Sequence, residues 1–202
     1  MKKVLLVLSL VCLFSCNNIT SSSEKITSES LTSVIETTSS EESSISVEEK
    51  EEKVLEVDLT NDKEAIDLST NETEKNRIKS LFGELLTDFK SEKAFSSDGG
   101  IKLASSKYDG YIELSFTNII SKIEVEAKSY TNYVEYTQTY YCDKPTFLIN
   151  DIDVNIDHYE NASSEYKLYS VDVSELSSNS IKFESKNGRT ILKALKIYYF
   201  IN

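Results

Sequence analysis

Apolar and polar residues alternate along much of the chain after Val54. Ile112, Leu114 and Phe116 alternate with Glu113 and Ser115, and this period of two with a charged outer face is typical of a half-buried antiparallel sheet. The same reasoning predicts strands at 54–59, 101–104, 112–116, 123–128, 133–141, 146–149, 152–157, 165–173, 180–185 and 190–201.

Two dipeptides mark tight turns between these strands. Asp109-Gly110 lies between 101–104 and 112–116, and Asn187-Gly188 lies between 180–185 and 190–201. Asn-Gly between alternating segments favours a two-residue hairpin. The sequence therefore predicts that the last two strands are hydrogen-bonded neighbours.

One segment has the period of a helix instead. Apolar residues recur at spacings of three and four, at positions Ile78, Leu81, Phe82, Leu85, Leu86 and Phe89. We expect an amphipathic helix near 73–90 that covers one open end or face of the sheets. An interior glycine, Gly83, costs this helix about 1 kcal/mol relative to alanine. The fold class predicted is thus mainly β, an antiparallel β-sandwich with one helix.

Residues 17–53 are dominated by Ser, Thr and Glu and lack aromatic residues. Such a segment buries too little apolar area to offset the entropy of ordering it. Nine Glu against three Lys give it a net charge of −6. We expect residues 16–53 to be a disordered tether before a β-sandwich domain at 54–202.

The first sixteen residues carry a separate pattern. Lys2 and Lys3 precede an apolar run at 4–14, which is too short to span a membrane as a stable helix. Leu13-Phe14-Ser15-Cys16 follows and resembles the lipobox of bacterial lipoproteins. The resemblance implies a signal peptide over 1–15, cleavage between Ser15 and Cys16, and lipidation of the Cys16 thiol. The alternative is an ordinary secretory signal with an incidental cysteine.

This resemblance predicts a place as well as a modification. The protein is expected at the extracytoplasmic face of the bacterial cell membrane, held there by its N-terminal lipid. Loss of Lys2 and Lys3 with the signal would move the net charge from −12 to about −14. So acidic a chain disfavours nucleic acid as a partner. Membrane attachment then depends on the acyl chains. Each methylene group buried in the bilayer contributes about 0.8 kcal/mol to membrane binding.

The three cysteines have different expected fates. Cys12 leaves with the signal and Cys16 takes the lipid, so Cys142 is left without an intramolecular disulfide partner. The simplest interpretation of Cys142 is a small buried residue. A catalytic thiol with His158 as its base is the alternative.

Oxygen-bearing side chains recur at every second position near residue 151. Four of these residues are weak candidate ligands of a structural calcium ion, namely Asp151, Asp153, Asn155 and Asp157. An EF-hand loop would need Gly and Glu where the chain has Ile156 and Ala162. A strand with an acidic outer face is the simpler interpretation, and a calcium site completed by another loop stays open. No other cofactor is predicted.

Tyrosines crowd the segment 130–141. If 133–141 is one strand, Tyr133 and Tyr141 share its outward face, opposite the inward positions Val134, Tyr136, Tyr140 and Cys142. Exposed tyrosines can stack on sugars or contribute area to a protein interface. The alternative is plain strand packing, since tyrosine is common in strands.

No pattern in the chain marks a catalytic set. There is no glycine-rich phosphate loop, no histidine pair for zinc and no cysteine cluster. Carboxylates are so abundant that no glycosidase pair stands out. We therefore assign no catalytic residues and expect a protein that is not an enzyme, with an extracellular carboxylate-based hydrolase as the alternative.

The order of elements from about residue 99 to 201 resembles galactose-binding-like jelly rolls. The resemblance is carried by Gly100-Ile101-Lys102-Leu103, by Tyr111-Ile112-Glu113-Leu114-Ser115-Phe116 and Lys122-Ile123-Glu124-Val125, and by Lys186-Asn187-Gly188-Arg189 with Ala194-Leu195-Lys196-Ile197-Tyr198-Tyr199. It implies a carbohydrate-binding-like module, with no catalytic residues to transfer. The expected function is a lipid-anchored surface protein that displays a binding or adhesion module for glycan or protein. A calcium-stabilised structural module is a further alternative.

Overall fold

A computed structural model describes residues 50–158 and 163–201 of the chain. The predictions for the signal peptide, for Ser15 and Cys16, and for most of the tether lie outside these residues. Within them the chain forms two antiparallel sheets, a two-stranded hairpin and one α-helix. The prediction of a mainly β sandwich with one helix is confirmed.

The strands and the helix follow one another in a simple chain order. They are β1 (Glu51–Asp58), β2 (Ile66–Asp67), α1 (Glu72–Leu81), β3 (Leu86–Glu92), β4 (Ala94–Ser97), β5 (Gly100–Leu103), β6 (Gly110–Phe116), β7 (Ile120–Ser129), β8 (Thr131–Val134), β9 (Thr139–Cys142), β10 (Thr146–Ile149), β11 (Ile152–Asp153), β12 (Lys167–Asp172), β13 (Ser180–Lys186) and β14 (Thr190–Ile201).

The larger sheet has seven strands in the order β12-β7-β14-β5-β4-β2, and β1 pairs with the second half of β14. The smaller sheet has five strands in the order β11-β10-β13-β6-β3. Because β14 is twelve residues long, it pairs with β5 at its start and with β1 towards its end.

The core lies between the two sheets, as the alternating pattern requires. Ile112, Leu114 and Phe116 of β6 are buried, and Ile123 and Val125 of β7 are fully buried on the opposing sheet. Their polar neighbours on each strand are only partly buried. The alternating pattern predicts these strands correctly because each of them has one face buried in the core and one face outside it.

The helix is shorter than predicted. It begins after Asn71, whose side chain accepts a hydrogen bond from the Glu74 backbone N–H at 2.9 Å. It ends at Leu81, and Gly83 has a left-handed φ of +59°, a common helix stop. The expectation of helix to residue 90 is wrong, because a short 3-10 turn at Gly83–Leu85 leads directly into strand β3.

The apolar residues of this segment still pack as a group. Ile78 is fully buried and Phe82 is nearly so. The Phe82 ring meets Phe116 edge-on, with 6.1 Å between ring centroids. The helix is therefore held to the sandwich by its apolar side, as its spacing indicated.

Both predicted turns connect the two sheets instead of neighbouring strands. Asn187-Gly188 joins β13 of the smaller sheet to β14 of the larger one, and Asp109-Gly110 lies between β5 and β6, which also belong to different sheets. The prediction of a terminal hairpin is wrong. Asn187 does adopt a left-handed φ of +58°, so the dipeptide fixes a turn without fixing the partner of the next strand.

Three other predicted boundaries change. Strand β1 begins at Glu51, inside the expected tether, because Glu51 pairs with Ile201. Residues 133–141 form the two strands β8 and β9 with a turn between them. Residues 152–157 contain only the two-residue strand β11, which pairs with β10 across a turn at Asn150-Asp151. Both turn residues have positive φ, as a type I′ hairpin requires.

Candidate functional site

Side chains from four strands form one row across the outer face of the larger sheet. Phe95 of β4 pairs with Lys102 of β5, Lys102 pairs with Ile191 of β14, and Ile191 pairs with Lys128 of β7. The residues before and after Lys102 and Lys128 are buried, so these two side chains point away from the core. Tyr166 lies beyond Lys128, immediately before β12. We call these five residues the lysine row.

The pairing fixes the spacing of the two lysines. Neighbouring strands lie about 4.8 Å apart, so the Cα atoms of Lys102 and Lys128 are separated by about 10 Å. Ile191 occupies the strand between them. The row thus presents two cationic side chains on either side of one apolar side chain.

Aromatic rings flank both ammonium groups. The Nζ atom of Lys102 lies 4.9 Å from the centroid of the Phe95 ring and 5.5 Å from that of Tyr130. Nζ of Lys128 lies 4.4 Å from the centroid of Tyr166. These are cation–π contacts, which contribute about 0.5–1 kcal/mol each at exposed positions. The rings hold the two side chains along the sheet surface.

Neither ammonium group forms an ion pair or a hydrogen bond with any residue in 50–158 or 163–201. Other lysines on the same face do. Lys193 contacts Glu126 at 2.9 Å, and Lys196 contacts Glu56 at 2.7 Å. The absence of a carboxylate beside Lys102 and Lys128 therefore distinguishes the lysine row from the rest of this sheet face.

Lys102 lies in an unfavourable environment for its charge. Burial lowers the pKa of its ammonium group, and repulsion from Arg189 lowers it further. Arg189 itself stacks on Tyr130, with 3.8 Å between its guanidinium carbon and the ring centroid. Arg189 also pairs with Asp143, so Lys102 is the ammonium group at this end of the row without a carboxylate partner among the described residues.

A groove of about 810 Å³ lies over the row. Strand residues Lys102, Lys128 and Ile191 line it, together with two connecting segments at 62–65 and 97–99. The connecting segments contribute one exposed lysine, Lys63, and three exposed carboxylate residues, namely Asp62, Glu64 and Asp98. The groove therefore combines lysines from the sheet with acidic groups from its loops.

Tyr166 fixes one wall of the groove. Its hydroxyl donates a hydrogen bond to the backbone oxygen of Gly99 at 2.6 Å. Burial raises the pKa of this phenol to about 12, with smaller contributions from Glu126 and Asp98. A Cβ atom on Gly99 would lie 3.0 Å from the hydroxyl, so the close approach depends on glycine at that position.

A second, smaller concavity of about 340 Å³ lies where three connections meet at one end of the sandwich. Its main polar group is already paired, because Arg189 binds Asp143 through Nε at 2.6 Å and through Nη2 at 3.1 Å. Its wall is also fixed by the Asn187 N–H, which donates to Asp109 at 3.1 Å. We call this concavity the end cleft. Its internal pairing favours a structural role.

The pKa shifts of the carboxyl groups indicate which of them could act as an acid. A glycosidase general acid needs a raised pKa. In the part of the chain that the structure describes, every carboxyl pKa that departs from its usual value is lowered, at Asp58, Glu72, Glu74, Glu124, Asp172 and Glu184. These groups are suited to accepting hydrogen bonds as carboxylates.

The two tyrosines predicted to form a ligand face are exposed but do not share a face. Tyr133 on β8 lies opposite Tyr140 on β9, and their ring centroids are 4.9 Å apart. Tyr141 follows Tyr140, so it points to the other side of the hairpin. Tyr136, expected to point inward, is 95% exposed in the turn. The prediction of one strand is the source of both errors.

The predicted calcium ligands are spread along a loop. Asp151 lies in the β10–β11 turn, Asp153 accepts a hydrogen bond from the Asn155 N–H at 2.9 Å, and Asp157 pairs with Lys167. Within residues 50–158 and 163–201, no three Asp, Glu, His or Cys side chains are arranged to hold a metal ion. The expected inner face is also incomplete, since Ile152 is 40% exposed.

Cys142 is partly buried, in contrast to the buried position expected. Its sulfur accepts a long hydrogen bond from the Thr131 hydroxyl at 3.8 Å. His158 lies in an exposed segment after β11. Neither residue lines the groove over the lysine row.

Sequence reasoning missed the lysine row, because its members are far apart in the chain and meet only through the strand order. Its local signal was a lysine at an outward position of each of two predicted strands.

Comparisons with protein-family models, with curated proteins and with solved structures find no match to this chain. No helix among the described residues is long and apolar enough to cross a membrane.

Proposed function

We propose that this protein is a lipid-anchored surface protein that binds a glycan in the groove over the lysine row. The observation that carries the proposal is the pair Lys102 and Lys128, two half-buried lysines without a carboxylate partner among the described residues of a chain with net charge −12. In so acidic a protein, two unpaired lysines beside aromatic rings are best explained by an external partner.

The chemistry of the groove suits a saccharide. Lysine ammonium groups donate up to three hydrogen bonds each, and ring hydroxyls of a sugar accept them. Ile191 and the rings of Tyr130 and Tyr166, which line the groove, offer apolar surface to the faces of sugar rings. The sequence resemblance to galactose-binding-like modules, without its terminal hairpin, points to the same class of ligand.

The anchor belongs to the same proposal. The lipobox resemblance of Leu13-Phe14-Ser15-Cys16 supports cleavage before Cys16 and diacylglycerol on its thiol. The Ser, Thr and Glu-rich segment after it then serves as a tether between the membrane and the binding module. Localisation at the extracytoplasmic face of a bacterial membrane follows from both.

A protein ligand is the second candidate. The β8–β9 hairpin favours it, because Tyr133, Tyr136 and Tyr141 are all exposed there. Tyrosine contributes large contact area at low entropic cost in protein interfaces. Loss of glycan binding would not be expected from changes in this hairpin.

Binding is tested by obstructing the groove. The full chain, purified in detergent and held on a biosensor, is screened against a panel of glycans. An Ile191→Trp substitution fills the middle of the row and should abolish glycan binding. Val54→Trp is the matched control, because Val54 is 48% exposed on the same sheet but does not line the groove. Equal binding by both variants would contradict the proposal.

Anchoring is tested by metabolic labelling with a fatty acid. The wild-type chain should incorporate the label and fractionate with membranes, and Cys16→Ser should lose both properties. Cys142→Ser is the control and should behave as the wild type. A Cys16→Ser chain that still carried the label would contradict lipidation at this residue.

A further inference from the structure

We infer that the ligand is an anionic saccharide, and that one of its acidic groups lies over Ile191 between Lys102 and Lys128. This inference rests on the proposed glycan-binding function and specifies the class of glycan. It depends on the spacing of the two lysines, on what surrounds each ammonium group and on the position of the acidic side chains.

The spacing suits one shared oxyanion. The Cα atoms of the lysines are about 10 Å apart across three strands, with Ile191 on the middle strand. Ile191 has no polar atom in its side chain that could occupy the ammonium groups. Nζ of Lys102 lies beside Phe95 and Tyr130, and Nζ of Lys128 lies beside Tyr166. An oxyanion above Ile191 would accept hydrogen bonds from both lysines once their side chains turn towards it, and the apolar side chain below it would not compete.

The electrostatics favour an anion over a neutral sugar. A lysine ammonium can donate to a neutral hydroxyl or to an oxyanion, but only the oxyanion adds the attraction between opposite charges. Nζ of Lys102 contacts the rings of Phe95 and Tyr130, and Nζ of Lys128 contacts that of Tyr166, but neither ammonium group has a hydrogen-bond acceptor among the described residues. An anion beside Lys102 would also offset the repulsion from Arg189, whose own counter-ion Asp143 forms no ion pair with Lys102.

The acidic loops define what kind of anion enters. Asp62, Glu64 and Asp98 line the same groove as the two lysines, and the chain as a whole is strongly negative. At physiological salt, charges more than about 8 Å apart are largely screened. Attraction is therefore local to the row, and the ligand needs only one acidic group at this place, between the two lysines.

The acidic group is a carboxylate or a sulfate on a sugar, and both have the oxyanion that the lysines require. Two matched probe pairs distinguish them. Polygalacturonate is compared with its fully methyl-esterified form, which has the same sugars without the charge. Dextran sulfate is compared with dextran. Single-stranded oligo-dT tests for a preference for nucleic acid.

The experiment measures binding of each probe to the full chain, purified in detergent and held on a biosensor. We expect at least one charged probe to bind about tenfold or more tightly than its neutral partner, since its acidic group adds charge–charge attraction to two ammonium groups. A Lys102→Met, Lys128→Met double variant should lose that preference. The double variant Lys122→Met, Lys196→Met removes the same charge from the same sheet outside the groove and should keep it.

The outcomes separate the two proposals. Equal binding of charged and neutral probes, both blocked by Ile191→Trp, would overturn the anionic ligand and leave the glycan-binding function in place. Binding of no probe and no panel glycan would overturn both. Equal losses in the two double variants, or tighter binding of oligo-dT, would also overturn the inference. Thermal unfolding of each variant confirms that it is folded.

Discussion

Arg189 and Asp143 form a two-point ion pair that joins the β13–β14 connection to the loop before β10. The guanidinium donates from Nε at 2.6 Å and from Nη2 at 3.1 Å, and the Arg189 backbone N–H donates to the same carboxylate at 2.9 Å. Both side chains are only about one-fifth exposed. The pair therefore fixes the end cleft and also positions Arg189 against Tyr130 beside the lysine row.

Asp143→Ala should destabilise the protein by about 2–3 kcal/mol, because it leaves a partly buried guanidinium without its acceptor. Chemical denaturation at pH 7 measures the free energy of unfolding. Glu56→Ala is the control, since Glu56 forms a single contact with Lys196 and is 68% exposed. Its cost should stay below about 1 kcal/mol. Equal costs for the two variants would show that the Arg189–Asp143 pair has no structural role.

Glu74 is the second strongly placed charge, and it ties α1 to the larger sheet. Its carboxylate accepts hydrogen bonds from Arg77 at 2.8 Å and from Ser96 at 2.7 Å, and its side chain is 4% exposed. Glu74→Gln keeps the shape but loses the charge. It should cost about 2 kcal/mol at pH 7. Glu72→Gln, 73% exposed in the same helical turn, should cost less than about 0.5 kcal/mol.

The cost of Glu74→Gln should depend on pH. Burial alone would raise the pKa of Glu74, but hydrogen bonds from Ser96, Arg77 and Asn61 outweigh it and lower the pKa below 4.5. A carboxyl group whose pKa is lower in the folded state stabilises the protein at pH values above its pKa in the unfolded state. This stabilisation is lost as pH falls through its pKa in the folded state. The difference between wild type and variant should thus shrink below pH 4.5. A difference that stayed constant down to pH 2 would contradict this.

Strands with one buried face could be predicted from the sequence. Ile112, Leu114 and Phe116 alternate with polar residues because the core lies on one side only. The helical period was less informative, since Leu86 and Phe89 continue the spacing of Ile78 and Phe82 but belong to strand β3. Gly83, with its left-handed backbone conformation, separates the helix from the strand. The spacing of apolar residues alone does not reveal that the chain changes direction there.

The strand order could not be predicted. Asn187-Gly188 specifies a turn, but β14 pairs with β1, β5 and β7, which lie far away in the chain. The lysine row depends on this order, because Lys102 and Lys128 meet only through Ile191 of β14. Local patterns place each side chain outward, and only the long-range pairing brings them together.

Gly100 marks the closest approach between β5 and β14. It has a φ of +113°, and a Cβ atom there would lie 2.1 Å from the backbone oxygen of Leu192. Gly100→Ala should therefore separate the strands that hold Lys102 and Ile191, at a cost above about 3 kcal/mol. The free energy of unfolding measures it.

Gly83 provides the comparison for Gly100. Its φ is +59°, and a Cβ atom would meet nothing within 4 Å. Gly83→Ala should lower the free energy of unfolding by about 1–2 kcal/mol, which is the cost of holding alanine in the left-handed conformation. If the two substitutions cost the same, the tight contact with Leu192 is not the reason for glycine at position 100.

Tyr166 should give the protein a specific loss of stability at high pH. Burial raises the pKa of its phenol to about 12, whereas an ordinary tyrosine ionises near 10. A phenol whose pKa is higher in the folded state stabilises the protein at pH values below its pKa in the unfolded state. This contribution to the free energy of unfolding disappears as pH rises from 10 to about 12. Tyr166→Phe also removes the hydrogen bond to Gly99 and should cost about 1 kcal/mol at pH 7.

The pH dependence distinguishes Tyr166 from the exposed tyrosines. Ultraviolet titration of the wild type should show one tyrosine that ionises near pH 12, and this step should be absent in Tyr166→Phe. Tyr136→Phe, at a position 95% exposed, should leave the step near pH 12 in place. Between pH 10 and 12 the unfolding free energy of the wild type should fall towards that of Tyr166→Phe. Parallel curves for the two proteins would mean that the phenol of Tyr166 is not held protonated by the fold.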